Sequence, residues 1–343
     1  MVEAAVCVEA GETVRVERME TTPYAFYRLR FRSRTAGQGY WAVFPFDADG
    51  NEMRADTHST VYASDDWLDH ETCFRGLPGA VAVELGFRGM TTSVEIEDIE
   101  IEPVDNAWVL QWADALYATV PPIAFEPAAD RHRLIPKTME RLRAGETIRV
   151  VMLGDSISQD TCHSYYDLLV EKMYPGADLQ LVPSIDGGKG CWYYLDDKLF
   201  QSYVVDQKPE LLMVGTHSER HGIGPVEQLL ERARAELNCE VMVVSGPMGD
   251  DFRVADDDMS DVACRARDHV PRRREFAAEQ KELCARLGVE YLDLSNAWLD
   301  YLAASGKPYH WFHRDAGHAN DRAKQVLARF MERYFAPVEE DGE

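Results

Sequence analysis

Residues 148–158, IRVVMLGDSIS, constrain the fold of this chain more than any other stretch. Ile148 to Leu153 is a nearly continuous apolar run, and a short run of that kind reads as a strand buried on both faces. Gly154-Asp155-Ser156 breaks the run, and Ile157 and Ser158 lead into helical spacing. The turn therefore lies at the carboxyl end of a buried strand, where open α/β sheets carry their sites. A serine there is placed to act as a nucleophile, and the N–H groups of the following turn can hold an oxyanion.

The pattern after this stretch alternates. Residues 159–173 have helical spacing, Leu179–Pro183 and Leu211–Val214 read as strands, and helix 225–237 precedes strand Glu240–Ser245. Helix 272–287 precedes strand Val289–Leu292, and helices near 295–304 and 320–335 follow. Short apolar strands alternating with helices predict a doubly wound parallel sheet. Upstream, Pro136 and Gly145 bracket a helix over 137–144.

Residues 1–104 have a different period. Tyr27, Leu29 and Phe31 alternate with Arg28, Arg30 and Arg32, and Val81, Val83, Leu85 and Phe87 alternate with Ala82, Glu84, Gly86 and Arg88. Period two predicts half-buried antiparallel strands. Val94 and Ile96 are out of phase with Ile99 and Ile101, and a bulge at Glu97-Asp98 reconciles them. The expected organisation is a β-sandwich over 1–104, a linker over 105–127 and an α/β domain over 128–343. In the linker, Trp108, Trp112 and Leu116 recur at helical spacing before Pro121-Pro122 and Pro127.

Length and charge agree with two soluble domains. The chain has 343 residues, with 36 Lys plus Arg against 60 Asp plus Glu, a formal charge of −24. That field disfavours nucleic acid and anionic membrane surfaces as partners. No stretch approaches the ~20 apolar residues of a membrane span. The start, MVEAAVCVEAGE, has no basic region before its apolar part, so it does not read as a signal peptide. The 7 cysteines are scattered without a CxxC pair, as free thiols in a reducing compartment would be. The expected location is cytoplasmic, with secretion left open should a leader precede this sequence.

Near the end stands His313-Arg314-Asp315-Ala316-Gly317-His318-Ala319-Asn320. Asp315 and His318 are spaced so that a carboxylate can orient an imidazole through Nδ1, leaving Nε2 to take a proton from a serine. In a parallel sheet, loops after strands gather on one edge, so this loop and Ser156 can meet. His217 and His221 have metal-like spacing without a third ligand, and no metal or cofactor is expected. His310 and His313 line the mouth or serve structure. Trp192, with Tyr193 and Tyr194, forms a sugar-stacking wall or belongs to the core. The acidic stretch 249–261 and Arg272-Arg273-Arg274 read as solvated surface.

With these residues in view, the chain resembles the SGNH (GDSL) hydrolase superfamily. Gly154-Asp155-Ser156-Ile157 matches the first block of that family. Asp315-Ala316-Gly317-His318 with Asn320 matches the last. Gly190 stands at the second block, although Gly187 and Gly188 leave the register open. Gly215-Thr216-His217-Ser218 matches the third block only in part, because His217 stands where the family has asparagine. The match covers roughly 135–335. The phrase AGETIRVVMLGDSIS resembles carbohydrate esterases of this superfamily that carry an N-terminal β-sandwich.

The resemblance implies a three-layer, flavodoxin-like domain behind a jelly-roll-like sandwich, and metal-independent ester hydrolysis. Ser156 is then the nucleophile, His318 the general base and acid, and Asp315 its orienting carboxylate. Backbone N–H groups of Ser156 and Gly190, with His217, form the oxyanion hole. His217 either donates a neutral ring N–H or is structural. The expected substrate is an acylated oligosaccharide or polysaccharide, with O-acetyl the leading acyl group. The alternatives are a non-catalytic glycan-binding protein on the same scaffold, and an esterase or thioesterase for acyl chains. The sequence leaves the oligomeric state open.

Overall fold

The alternation along β3 (Phe26–Thr35) is resolved by its antiparallel pairing with β8 (Val94–Val104). In the computed structural model, Arg28, Arg30, Arg32 and Arg34 of β3 pair with Glu102, Glu100, Glu97 and Glu95 of β8. The intervening Leu29 and Phe31 are buried. The ladder holds one extra residue on β8 between Glu97 and Glu100, where Asp98 takes φ 53°. That is the expected bulge, and it brings Val94, Ile96 and Ile99 together into the core.

The structure describes residues 5–37, 39–54, 56–90, 92–216, 221–247, 270–307, 311–315 and 317–338. The chain divides into two units, residues 1–115 and 116–343. In the first, two four-stranded antiparallel sheets have the orders β1-β8-β3-β6 and β2-β7-β4-β5. Here β1 is Val6–Val8, β2 Thr13–Glu20, β4 Gly39–Phe46, β5 Asp56–Val61, β6 Ser64–Arg75 and β7 Ala82–Gly89. Leu29, Phe31, Trp41, Phe74, Leu85 and Phe87 fill the space between the sheets. Each such side chain contributes about 1.5–3 kcal/mol on burial, whereas an exposed ion pair contributes about 0–1 kcal/mol. The apolar core, not the arginine ladder, therefore holds the sandwich together. The spacing of Trp108 and Trp112 produces α1 (Asn106–Tyr117). Trp108 lies under the Arg28 guanidinium, and Trp112 Nε1 donates to the Glu71 carbonyl at 3.2 Å.

The second unit carries a five-stranded parallel sheet of order β10-β9-β11-β12-β13. These are Asp178–Ile185, Thr147–Gly154, Leu211–Thr216, Glu240–Ser245 and Glu290–Leu292. In order of sequence that is 2-1-3-4-5, the flavodoxin-like arrangement. Alternate residues face opposite layers. Val151, Leu153, Val214 and Val243 pack with Phe200, Leu229, Leu230 and Leu283. On the other face, Met213 receives the Tyr166 hydroxyl, and Tyr166 stacks on Phe335. The helices are α2 (Pro136–Ala144), α3 (Ser156–Cys162), α4 (Tyr166–Met173), α5 (Asp197–Phe200, continued by a π turn), α6 (Gly224–Glu236), α7 (Val270–Leu287), α8 (Leu294–Ser305) and α9 (Asp321–Phe335). Gly145 closes α2 in the left-handed region at φ 70°, as a C-cap glycine does.

One expected helix is two. The run 159–173 breaks at Tyr165, which takes φ 56°. The Ser164 hydroxyl bonds back to the Thr161 carbonyl at 2.6 Å, and the rings of Tyr165 and Tyr166 are both buried. A serine that satisfies a carbonyl locally offers the backbone an alternative to continuing the helix. The stretch 249–261 lies outside the described residues. The 6 described cysteines are free thiols. Among the described residues, no helix is long and apolar enough to cross a membrane.

Candidate active site

Ser156 opens α3 immediately after the central strand β9. Asp155 caps this helix: its backbone is extended, and its carboxylate accepts from the Ile157 N–H at 3.0 Å. The Gly154 carbonyl accepts from the buried Tyr194 hydroxyl and from the Asp186 N–H at 3.0 Å. The turn is thus tied on both sides, and Ser156 is left half-buried.

The partner loop comes from the far end of the chain. The Phe312 carbonyl accepts from the Asn320 N–H at 2.9 Å, and the Arg314 N–H donates to the His318 carbonyl at 3.0 Å. Between these bonds the loop is narrow. Asp315 Oδ1 accepts from the N–H groups of Gly317 and His318 at 2.8 and 2.9 Å, so its carboxylate is fixed before it meets the ring. Asn320 caps α9, accepting from Arg322 and Ala323 N–H at 3.1 and 3.2 Å, and its amide donates to the Trp311 carbonyl at 2.9 Å.

The three side chains expected to act together are adjacent. His318 Nδ1 lies 2.8 Å from Asp315 Oδ2, and His318 Nε2 lies 2.7 Å from Ser156 Oγ. The carboxylate can only accept, so Nδ1 carries the proton and Nε2 accepts from the serine hydroxyl. Burial works against ionisation of Asp315. The His318 bond, the charges of His318 and Arg314, and the Gly317 N–H outweigh it and hold the carboxyl below its ordinary range. Burial pushes the Asp155 carboxyl up to about 7, against the N–H groups of Ile157 and Ser158 and the charge of His318. An ionised carboxylate, an imidazole and a hydroxyl in this order can deprotonate the hydroxyl and later return the proton to a leaving group.

The remaining expected residues are placed less uniformly. Gly190 is buried on the segment after β10, the strand beside β9. Trp192 follows it and is 37% exposed, with its ring 4.8 Å from that of His221 after β11. β10 and β11 flank β9, so these two loops meet at the edge that carries Ser156. Lys189 Nζ lies 5.1 Å from the Tyr193 ring centroid. Tyr194 is buried and belongs to the core. His313, expected either to line the mouth or to serve structure, is buried, with its ring 5.7 Å from that of Trp298. His217 and His310 lie outside the described residues. Among the described residues, no cluster of three or more His, Cys, Asp or Glu is placed to hold a metal ion.

Two features escaped the sequence. Arg273, read as surface, is buried, with Nη1 3.4 Å from the Gly246 carbonyl. Asp160, in α3, forms a buried ion pair with Arg314 at 2.7 Å. Asp160 and Arg314 are charged residues 154 positions apart, and nothing local links them.

No protein-family model and no curated protein matches this sequence. Among solved structures, it is similar to a two-domain esterase active on acetylated mannans, at 16% identity and a TM-score of 0.47. That match covers 62% of this chain and 56% of the other, little more than half its length. A G-D-S-L family protein from Desulfitobacterium hafniense DCB-2, described as lipolytic, matches at 10% identity and a TM-score of 0.37, covering 55% of this chain and 99% of the other. The periplasmic domain of a Salmonella ser. Paratyphi A lipopolysaccharide acetyltransferase matches at 10% identity and 0.38, covering 65% and 94%. These likenesses are distant. Strand order speaks more directly: the second unit is a three-layer α/β fold with the flavodoxin-like order, and the first unit is a β-sandwich.

Proposed function

We propose that this chain is a serine esterase that removes small acyl groups, O-acetyl foremost, from a carbohydrate. The observation that carries the reading is the relay from Asp315 through His318 to Ser156 Oγ, closed at 2.8 and 2.7 Å. Ser156 Oγ attacks the acyl carbon as its proton passes to His318 Nε2. Asp315 stabilises the imidazolium that forms. Collapse of the tetrahedral intermediate breaks the acyl C–O bond, and His318 protonates the departing sugar oxygen. Water, deprotonated by His318, then cleaves the acyl-serine and releases the carboxylic acid. The backbone N–H groups of Ser156 and Gly190 are the proposed oxyanion donors. His217 is the candidate third donor on sequence alone.

The carbohydrate half of the reading rests on Trp192 and on the resemblance to sandwich-bearing esterases. An exposed indole beside His221, at the edge that bears Ser156, is suited to stack on a pyranose ring. The test is acetate release from a panel of acetylated oligosaccharides by the wild type and by Ser156→Ala. Release that depends on Ser156 supports the reading. Binding of the same glycans without turnover would replace it with a non-catalytic glycan-binding protein. Turnover confined to long-chain acyl esters or thioesters would move the substrate to acyl chains.

A further inference from the structure

Asp160 lies one helical turn beyond Ser156 and is fully buried. Its Oδ1 accepts from Arg314 Nη1 at 2.7 Å, and its Oδ2 accepts from the Ala319 N–H at 2.8 Å. Arg314 Nη1 also donates to the Ala319 carbonyl at 2.9 Å, and the Arg314 N–H donates to the His318 carbonyl at 3.0 Å. Arg314 directly precedes Asp315, and Ala319 directly follows His318. One carboxylate on the nucleophile's own helix thus grips the Asp315–His318 segment at both ends.

A buried ion pair is an expensive way to join two elements. Removing two charges from water costs several kcal/mol per ion, and well-packed apolar side chains often serve stability better. What apolar side chains lack is direction. A carboxylate with each oxygen bonded to a different point of the loop fixes both the distance and the rotation of that loop relative to α3. Those are the coordinates that set His318 Nε2 against Ser156 Oγ. Proton transfer is sensitive to them, since a displacement of about 1 Å costs about 10² in rate. Arg314 also places its positive charge near Asp315, and Asp160 balances it, so the clamp leaves no net charge beside the relay.

We infer that Asp160 and Arg314 are positioning residues that hold the base loop in register with the nucleophile. The inference rests on the reading of Ser156, His318 and Asp315 as a hydrolytic triad. Asp160→Asn keeps the shape but has one acceptor oxygen, so the Arg314 bond or the Ala319 bond is lost. Arg314→Lys keeps the charge but not the forked geometry.

The experiment is a cycle on one activated acetyl ester. Asp160→Asn and Arg314→Lys are each made in the wild type and in His318→Ala. kcat and KM are expressed per mole of protein, and folding is checked by circular dichroism. In the wild-type background, Asp160→Asn is expected to lower kcat by about 10–100-fold with KM changed by less than about twofold. In His318→Ala, the same substitution is expected to cost nothing further, because the group it positions is absent. Arg314→Lys gives a smaller loss with the same pattern, and it carries the test if Asp160→Asn does not fold. Unchanged kcat in the wild-type background, or equal losses in both backgrounds, overturns the positioning role. Full activity of Ser156→Ala in the same assay overturns the triad itself, a result distinct from either.

Discussion

A Cβ on Gly154 would stand 2.2 Å from Ser158 Oγ and 2.7 Å from Ser158 Cβ. A Cβ on Gly215 of β11 would stand 2.0 Å from the same hydroxyl. The first turn of α3 is therefore seated directly on two strands at their glycines, and that seat sets the height of Ser156. Gly154→Ala must lift the turn, since rotating the hydroxyl does not relieve the contact with Ser158 Cβ. The expected cost is about 1–3 kcal/mol of stability and about 10² in turnover through displacement of Ser156. Adding Ser158→Gly removes both contacts and should return part of each loss. Denaturant unfolding and ester turnover of the single and double variants measure this.

Asp155 predicts a pH dependence of stability. Its carboxyl titrates at about 7 when folded, against an ordinary value of 3.8. Below about pH 4 both states hold the proton, and the group contributes nothing. Between the two values the unfolded chain ionises while the folded chain keeps its proton. The folded state binds more protons there, so stability falls as pH rises and levels off above about 7. Asp155→Asn keeps a cap acceptor but does not titrate. Its stability relative to wild type should rise between pH 4 and 7, by on the order of 1–4 kcal/mol. Urea unfolding of both proteins at several pH values gives the difference directly, and a flat difference would contradict the assignment.

The Asn320 cap gives a third prediction. Asn320 is buried; its carbonyl oxygen satisfies two N–H groups of α9 and its amide holds the Trp311 carbonyl. Asn320→Ala should cost about 0.5–2 kcal/mol for the cap, plus about 0.5–1.5 kcal/mol for the lost bond to the Trp311 carbonyl, which keeps Arg322 Nη1 at 3.5 Å. Asn320→Asp keeps the cap and loses the Trp311 bond, so it should fall between. Thermal unfolding ranks the three proteins, and equal midpoints would contradict the structural role.

What the sequence disclosed follows the range of each interaction. The β9 run, the Gly154-Asp155-Ser156 turn, and the Pro136 and Gly145 boundaries are local signals, and each element lies within a residue or two of its expected place. Asp315 and His318 were legible because their contact closes within one loop. The bulge at Asp98 was legible because a phase change in an alternating strand has a single remedy. The break at Tyr165 was not, because it depends on where two tyrosine rings find space. Burial of Arg273 was not, because charge in a sequence reads as surface until the tertiary partner is known. The Asp160–Arg314 pair, spanning most of the second unit's sequence, belongs with these.

The central claim is that Ser156, activated by His318, is the nucleophile. Incubation with a fluorophosphonate, followed by peptide mass spectrometry, tests it most directly. The account predicts one adduct, on Ser156, formed at least about 10³-fold more slowly in His318→Ala and absent in a folded Ser156→Ala that has also lost ester turnover. An adduct on another residue, or turnover that survives in Ser156→Ala, would contradict it.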